Sequence, residues 1–126
     1  MRELLKQGRE SNHKMEVSAI AKDTRISPRK VRPLVDMIRG RRVEEALNIL
    51  NFTSTPIARV VAKVVKSAVA NAENNFQMTP ADLKIVGVLV DEARTLKRYR
   101  PRSRGRVSPI LKRSSHIKVT VAEQEE

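Results

Sequence analysis

The chain has 126 residues, enough for one domain, and its 26 lysine and arginine residues exceed its 14 acidic residues, giving a formal net charge of +12. So large a charge disfavours a solitary compact protein and indicates a polyanionic partner. The lack of cysteine excludes disulfides and thiolate metal sites, and no apolar run approaches the roughly 20 residues that span a bilayer, so we expect no membrane partner.

The first third of the chain predicts a tail, a strand and a helix. Residues 1–14 are polar and basic and lack the apolar core of a signal peptide. Apolar residues at every second position from Met15 to Ala21 share one face of an extended segment and predict a strand. Ser27 and Pro28 then start a helix as N-cap and first helical residue, and Gly40 ends it.

Two more helices are predicted before the chain becomes strand-like. Residues 43–52 have the apolar spacing of a short helix. Thr55 and Pro56 repeat the start signal, and an apolar stripe of helical period continues from there to Phe76. Residues 79–82 then form a turn, because the sequence Thr-Pro-Ala-Asp combines a proline with a turn-forming aspartate.

The last third of the chain combines two strands with most of the positive charge. Residues 83–90 are rich in β-branched side chains and residues 117–121 alternate apolar with polar ones, so each predicts a strand. Residues 123–126 form an acidic C-terminal tail. Residues 93–122 contain ten lysine and arginine residues and no acidic residue, so the charge is concentrated in and around the segment between the strands.

This basic segment predicts a long arm. Arginines recur at every second position from Arg98 to Arg106; in one extended strand they would share a face opposite Tyr99 and Pro101, whereas a turn near 101–105 would divide them between two limbs. With limbs of about 15 residues, the arm would reach about 50 Å. An isolated two-stranded ribbon is only marginally stable, so we expect phosphates, which arginine binds through two oxygens, to order it.

Two questions about the basic residues stay open. A run of arginine and lysine is also typical of a solvated face, a disordered tail or a localisation signal, although this run lies between two apolar strands and uses arginine more than lysine. The basic residues around the first helix fit a solvated face and an RNA-facing surface equally well. Those of the third helix, Arg59, Lys63 and Lys66, more readily coat a solvent-facing side.

The sequence predicts no catalytic residue, metal site or cofactor. His13 and His116 are its two near-neutral bases; for His116 a phosphate hydrogen bond and a solvated strand end both stay open. Asp91 and Glu92 are adjacent, so in a strand they point to opposite sides and would neutralise nearby arginines. Phe52, Phe76 and Tyr99 are the only aromatic residues, and the two phenylalanines sit in apolar helical patterns. We therefore expect phosphate and shape recognition rather than base stacking.

Several motifs, taken in order, resemble one known family. They are Ser-Pro-Arg-Lys-Val-Arg at 27–32, Ile-Arg-Gly at 38–40, Ser-Ala-Val-Ala-Asn-Ala-Glu-Asn-Asn at 67–75, Val-Asp-Glu at 90–92, Lys-Arg at 97–98, Pro-Arg at 101–102, Gly-Arg at 105–106 and Leu-Lys-Arg-Ser-Ser-His-Ile at 111–117. Their order and spacing are similar to bacterial large-subunit ribosomal protein twenty-two over residues 17 to 122.

The resemblance implies an α+β fold, with three helices packed on a small antiparallel sheet and a long protruding β-hairpin. The domain would span 15–122 and the hairpin about 88–115. A member of this family is a non-catalytic, cytoplasmic component of the ribosome whose body lies on the large-subunit surface. Its hairpin threads into rRNA and lines the nascent-peptide exit tunnel near the macrolide site. The implied partners are rRNA, neighbouring ribosomal proteins and the nascent peptide, with a role in subunit assembly and no homo-oligomer.

The basic clusters described above and the resemblance together give the candidate site residues, of which residues 97–102, Arg104, Arg106, Lys112 and Arg113 are those that the resemblance implies. Those expected on rRNA are Arg25, Arg29, Lys30, Arg32, Arg39, Arg41, Arg42, Arg94, Lys97, Arg98, Arg100, Arg102, Arg104, Arg106, Lys112, Arg113, Ser114 and His116. Those expected at the tunnel-lining tip are Lys97, Arg98, Tyr99, Arg100, Pro101 and Arg102. Pro109 departs from the family pattern, and because proline cannot donate to a ladder we expect a break or bulge there.

Two other functions compete with this prediction. A DNA-binding architectural protein would insert a basic ribbon into a groove, but an apolar wedge at the tip is limited to Tyr99 and Pro101. A nuclease or nucleotide-modifying enzyme would need an acid/base set that this chain lacks.

Overall fold

The computed structural model describes residues 16–123, so the predicted tail at 1–14, Met15 and residues 124–126 lie outside the described part. The three helices are α1 (Pro28–Ile38), α2 (Val43–Phe52) and α3 (Pro56–Phe76). The strands are β1 (Glu16–Thr24), β2 (Leu83–Glu92), β3 (Leu96–Pro101), β4 (Val107–Lys112) and β5 (Ser115–Glu123). Glu123, predicted to begin the acidic tail, is the last residue of β5.

The start and end signals of the helices lie where the sequence predicts, although the Ser27 side chain makes no capping hydrogen bond. Pro28 occupies the first turn of α1 and Pro56 that of α3, where a missing N–H costs nothing. After α1 the chain turns at Gly40, whose φ of +82° is accessible to glycine at little cost. Gln77 ends α3 in the left-handed conformation, with φ of 53°.

The core is aliphatic and lies between the helices and one face of a three-stranded sheet. Strand order is β1-β5-β2, all antiparallel, with β5 in the centre. Ile117, Val119 and Val121 point from β5 into the core and are fully buried, while the residues between them are half-buried on the other face. The long helix α3 covers this sheet with a stripe of valine and alanine, whose small side chains let helix and sheet approach closely. This arrangement confirms the predicted α+β fold of three helices on an antiparallel sheet.

The aromatic residues lie outside this core. The helical patterns suggested that Phe52 and Phe76 pack inside, but their side chains are 88% and 48% exposed. Each is the last residue of its helix, where the chain leaves the packed layer, so the stripe no longer faces the sheet.

The loop between α1 and α2 pairs with the start of β2 at the edge of the sheet. The Gly40 N–H donates to the Ile85 carbonyl at 2.9 Å, and the Ile85 N–H donates to the Arg41 carbonyl at 2.9 Å. Arg42 forms an isolated bridge with Lys84. This loop satisfies backbone groups that an exposed edge strand would otherwise offer to another chain.

The arm is a separate two-stranded sheet formed by β3 and β4. Its limbs have six residues each, so at roughly 3.3 Å per residue the ribbon and turn reach about 25 Å, half the predicted length. The prediction was too long because residues 88–92 remain paired with β5 in the body sheet.

The predicted break at Pro109 is wrong, because pairing continues from Leu96–Lys112 to Pro101–Val107 without a register shift and pairs Pro109 with Tyr99. In an antiparallel ribbon alternate N–H groups point outward, so a proline at such a position removes no ladder bond.

No helix among residues 16–123 is both long enough and apolar enough to cross a membrane.

Candidate nucleic-acid interface

The arm leaves the body at a short unpaired joint. On one side the chain passes from β2 to β3 through residues 93–95, and on the other from β4 to β5 through 113–114. The Ala93 N–H donates to the Ser114 carbonyl at 3.0 Å and holds the two sides together. Arg94 and Arg113 therefore lie at the base of the arm, one on each side.

A cleft of about 630 Å³ lies between the arm and the helical layer. Its walls come from the 25–27 loop, the starts of α1 and α3, and both sides of the arm base: Arg25, Ile26, Ser27, Lys30, Ile57, Leu96, Arg98, Leu111, Lys112, Arg113 and Ser114. A second concavity of about 450 Å³ shares Arg25, Leu96 and Ser114 with it and adds Asp23 and Arg94. The two adjoining hollows form one concave surface, which we call the joint cleft.

Six of the predicted RNA-binding cations converge on the joint cleft. They are Arg25, Lys30, Arg94, Arg98, Lys112 and Arg113. None of them forms an ion pair within residues 16–123, where the ion pairs join Arg39 to Asp36 and Arg41 to Glu45. Asp23 is the one carboxylate in the lining. A concave surface with this excess of positive charge concentrates anions.

The first turn of α1 adds to the positive potential of the cleft. Ser27 is the N-cap, but its side chain makes no capping hydrogen bond, and both Ser27 and Lys30 line the cleft. The amino end of a helix carries a partial positive charge and unsatisfied N–H groups, which favour phosphate.

The turn of the arm supplies three more cations and lies later in the sequence than the resemblance implied. It is formed by a single 3₁₀ turn at Ser103–Gly105, closed by the Arg102 N–H donating to the Arg106 carbonyl at 2.6 Å. Arg104 and Gly105 take positive φ there, 62° and 70°.

The turn decides how the six predicted tip residues and the arginine run are arranged. Of the six, Arg102 lies in the turn and Arg100 and Pro101 form the last two pairs before it, whereas 97–99 lie along β3. The alternating arginines are thus divided, with Arg98 and Arg100 on β3 and the rest at the tip. The prediction that all five arginines share one face of a single strand is therefore wrong. The alternative, in which a turn near 101–105 divides them between two limbs, is confirmed.

Three of the predicted RNA-binding arginines are already engaged by their own chain. Arg39 donates to Asp36 at 3.0 Å and to the Val88 carbonyl at 2.8 Å. Arg41 contacts the Met37 carbonyl and Glu45, and Arg42 contacts the Ala81 carbonyl. These contacts tie the α1–α2 loop to its surroundings, away from the joint cleft. Arg29 and Arg32 are exposed on α1.

His116 and the two acids beside it also differ from the simplest expectation. The Asp23 N–H donates to Nδ1 of the half-buried His116 at 3.1 Å, so one ring nitrogen serves the fold and Nε2 remains for a ligand. Asp91 and Glu92 form no ion pair with any residue between 16 and 123, so their neutralisation of arginines at the arm base stays a prediction without a direct contact.

The sequence did not reveal the apolar part of the joint cleft. Ile26, Ile57, Leu96 and Leu111 come from four separate segments, and only the position of the arm beside the helical layer places them around one cleft. In residues 16–123 no group of three potential metal ligands occurs.

Comparison with known proteins gives consistent matches over most of the chain. The family described as "Ribosomal protein L22p/L17e" matches residues 19–122. The "Large ribosomal subunit protein uL22" of Dehalococcoides mccartyi strain 195 is 66% identical over 109 residues, which cover 86% of this chain and 100% of that protein. The proteins of the same name from strains BAV1 and CBDB1 are each 65% identical over the same length.

Proposed function

This chain belongs to the ribosomal protein L22p/L17e family, a structural and non-enzymatic family, and from this premise we propose that it binds large-subunit rRNA through the joint cleft and the basic arm. The domain that does so spans residues 15–122. The body lies on the surface of the large subunit in the cytoplasm, and the arm extends inward between rRNA segments.

The convergence of six cations on the joint cleft supports this proposal most strongly. They come from three separate segments of the chain, none forms an ion pair within residues 16–123, and Asp23 is the single carboxylate beside them in the lining. Like charges gathered in a hollow repel one another, so the arrangement is favourable only when an anion occupies it. Polynucleotide phosphates supply such anions at regular spacing.

The arm extends the same surface away from the body. Its exposed arginines at the turn, Arg102, Arg104 and Arg106, would meet phosphates beyond the reach of the body. In this arrangement the tip lines the exit tunnel and meets the nascent peptide, and the chain joins distant rRNA segments and neighbouring ribosomal proteins during subunit assembly. We propose that it acts there as one copy and not as a homo-oligomer.

A salt series tests RNA binding and its location. We expect the chain to bind fragments of large-subunit rRNA more tightly than duplex DNA at every salt concentration, with both affinities falling as counterions are released. A preference for rRNA that disappears at high salt would contradict the proposal. Association with intact large subunits that persists through a high-salt wash would support it independently.

Matched charge variants locate the interface. The double variant Arg25→Ala, Arg113→Ala removes two joint-cleft cations, and Arg59→Ala, Lys63→Ala removes two exposed cations of α3. Because each neutralised phosphate contributes about 0.7 to 0.9 to the slope of log K against log salt, the first variant should lower the slope by about 1.4 to 1.8 and the second by less than about 1. If the two variants lowered the slope by the same amount, the interface would lie outside the joint cleft.

A further inference from the structure

The arm has two chemically different faces. Side chains alternate across a strand, so the pairing of β3 with β4 divides the ribbon into two sets. Leu96, Arg98 and Arg100 share one face with their partners Lys112, Ile110 and Ser108. On the opposite face, which we call the tyrosine face, the residues are Lys97, Tyr99, Pro101, Val107, Pro109 and Leu111.

The tyrosine face is apolar and open. All six of its residues are exposed, including Tyr99 at 66% and Val107 at 60%, whereas Leu96, Ser108 and Ile110 on the other face are half-buried. Lys97 is its single charged residue. Tyr99 sits at the middle of the ribbon, opposite Pro109, so an aromatic ring and a rigid proline ring lie side by side in the centre of this face.

We propose that Tyr99 is a stacking platform for an unpaired nucleobase of rRNA. The inference rests on the proposed function and adds to it a base contact, which the scarcity of aromatic residues argued against. Tyr99 takes no part in the aliphatic core, so its ring is available to a ligand.

A nucleotide matches the tyrosine face better than a bare phosphate or another protein does. Phosphates need donors, and apart from Lys97 this face offers none on its side chains but the tyrosine hydroxyl. Its borders are cationic, with Arg102 and Arg106 at the turn and Arg113 at the joint. Residues 93–122 contain no acid that would attract a basic protein. An apolar centre with cationic borders fits a flat base whose phosphates lie to either side.

The composition of the chain allows a direct optical test. Tyr99 is the only tyrosine and there is no tryptophan, so tyrosine emission reports on this side chain alone. We would titrate the full chain with a large-subunit rRNA fragment that it binds. Stacking should quench the emission, with a midpoint that matches the binding constant measured by filter retention.

Variants separate stacking from apolar contact. We expect Tyr99→Phe to bind the fragment within about twofold of the unchanged chain, since the ring is kept, and Tyr99→Leu to bind on the order of 10-fold more weakly. The matched control is Phe52→Leu, which removes an aromatic ring that is 88% exposed on the body and should leave affinity unchanged.

The outcomes distinguish this inference from the function on which it rests. If the fragment binds but emission does not change and Tyr99→Leu binds like the unchanged chain, the stacking platform is wrong and RNA binding stands. Quenching that appears only after other ribosomal proteins are added would assign the tyrosine face to a protein and overturn the inference. If no rRNA fragment is preferred over duplex DNA, the proposed function fails and the inference fails with it.

Discussion

Two adjacent serines at the base of the arm are buried in different ways. Ser114 is 8% exposed, lines the joint cleft, and its carbonyl accepts the hydrogen bond that closes the joint. Ser115 is fully buried, and its hydroxyl has no hydrogen-bond partner among the described residues. A buried hydroxyl without a partner loses its hydration and regains nothing, which opposes folding.

We therefore expect Ser115→Ala to increase the free energy of unfolding by about 1 kcal/mol, because the desolvation of an unsatisfied hydroxyl costs at least that much. Urea denaturation followed by circular dichroism measures the change. Ser114→Ala is the control and should give no such increase, since Ser114 lines the cleft and its hydroxyl is not a buried atom without a partner. A loss of stability in Ser115→Ala would show that the hydroxyl has a partner in solution.

Gln77 carries backbone strain at the end of α3. Its φ of 53° is in the left-handed region, which costs a residue with a side chain about 1 kcal/mol relative to glycine. We expect Gln77→Gly to raise the free energy of unfolding by about 1 kcal/mol in the same assay. Gln77→Ala keeps the strain and should not stabilise the chain, so equal effects of the two variants would contradict this explanation.

At the scale of elements, the arm differs from the rest of the chain in how it is held. The body strands are covered by helices, whereas β3 and β4 pair only with each other and are exposed on one face. A two-stranded ribbon with this little burial is marginally stable in water. Its cations also repel one another across the strands, which weakens it further.

Amide hydrogen exchange tests this difference. In the free chain we expect residues 96–112 to exchange orders of magnitude faster than β5, because local opening of the ribbon exposes little apolar surface. Bound rRNA should slow the exchange of the arm. Strong protection of the arm without RNA would contradict the view that its surroundings order it.

The cations of the arm should contribute to binding but not to folding. We expect the triple variant Arg98→Ala, Arg100→Ala, Arg102→Ala to keep the urea midpoint of the body, since none of these residues is in the core. Its salt slope for rRNA should fall by about two to three, because each phosphate that a cation no longer neutralises lowers the slope by about 0.7 to 0.9. An unchanged slope, or an unfolded body, would refute this assignment.

The elements show how far the sequence determines the structure. The starts of α1 and α3 were predictable because a proline in the first turn acts locally, and at α3 the Thr55 side chain also accepts a capping hydrogen bond from the Ala58 N–H. The turn of the arm was not, because Arg104 adopts a positive φ that its side chain disfavours, and Gly105 alone did not fix the position. The continuous pairing through Pro109 depends on which N–H groups point outward, and the turn sets that register.

At the scale of the whole molecule, the body and the arm are separable. The core comes from β1, β2, β5 and the three helices, and no residue of β3 or β4 belongs to it. The joint cleft, in contrast, needs both parts, since its cations come from the 25–30 region and from the arm. For this reason its charge was predictable residue by residue, but its shape and its apolar lining were not.

Replacing residues 96–112 by a short glycine-containing turn tests this separation. We expect the shortened chain to fold with a free energy of unfolding within about 1 kcal/mol of the full chain, since surface changes away from the core have small effects. Its affinity for rRNA should fall strongly, because the deletion removes two of the six cations of the joint cleft, Arg98 and Lys112, together with the arginines of the turn. A shortened chain that fails to fold would show that the arm supports the body.

The loop that pairs with Ile85 has a consequence for copies that are not yet incorporated into a ribosome. An unpaired strand at the edge of a sheet can pair with another chain, and repeated pairing of this kind leads to aggregates and amyloid fibres. Because the N–H and C=O of Ile85 are already bonded to this loop, they cannot pair with a strand of another copy. The residues of this loop thus lower the risk of aggregation during the time between synthesis and incorporation.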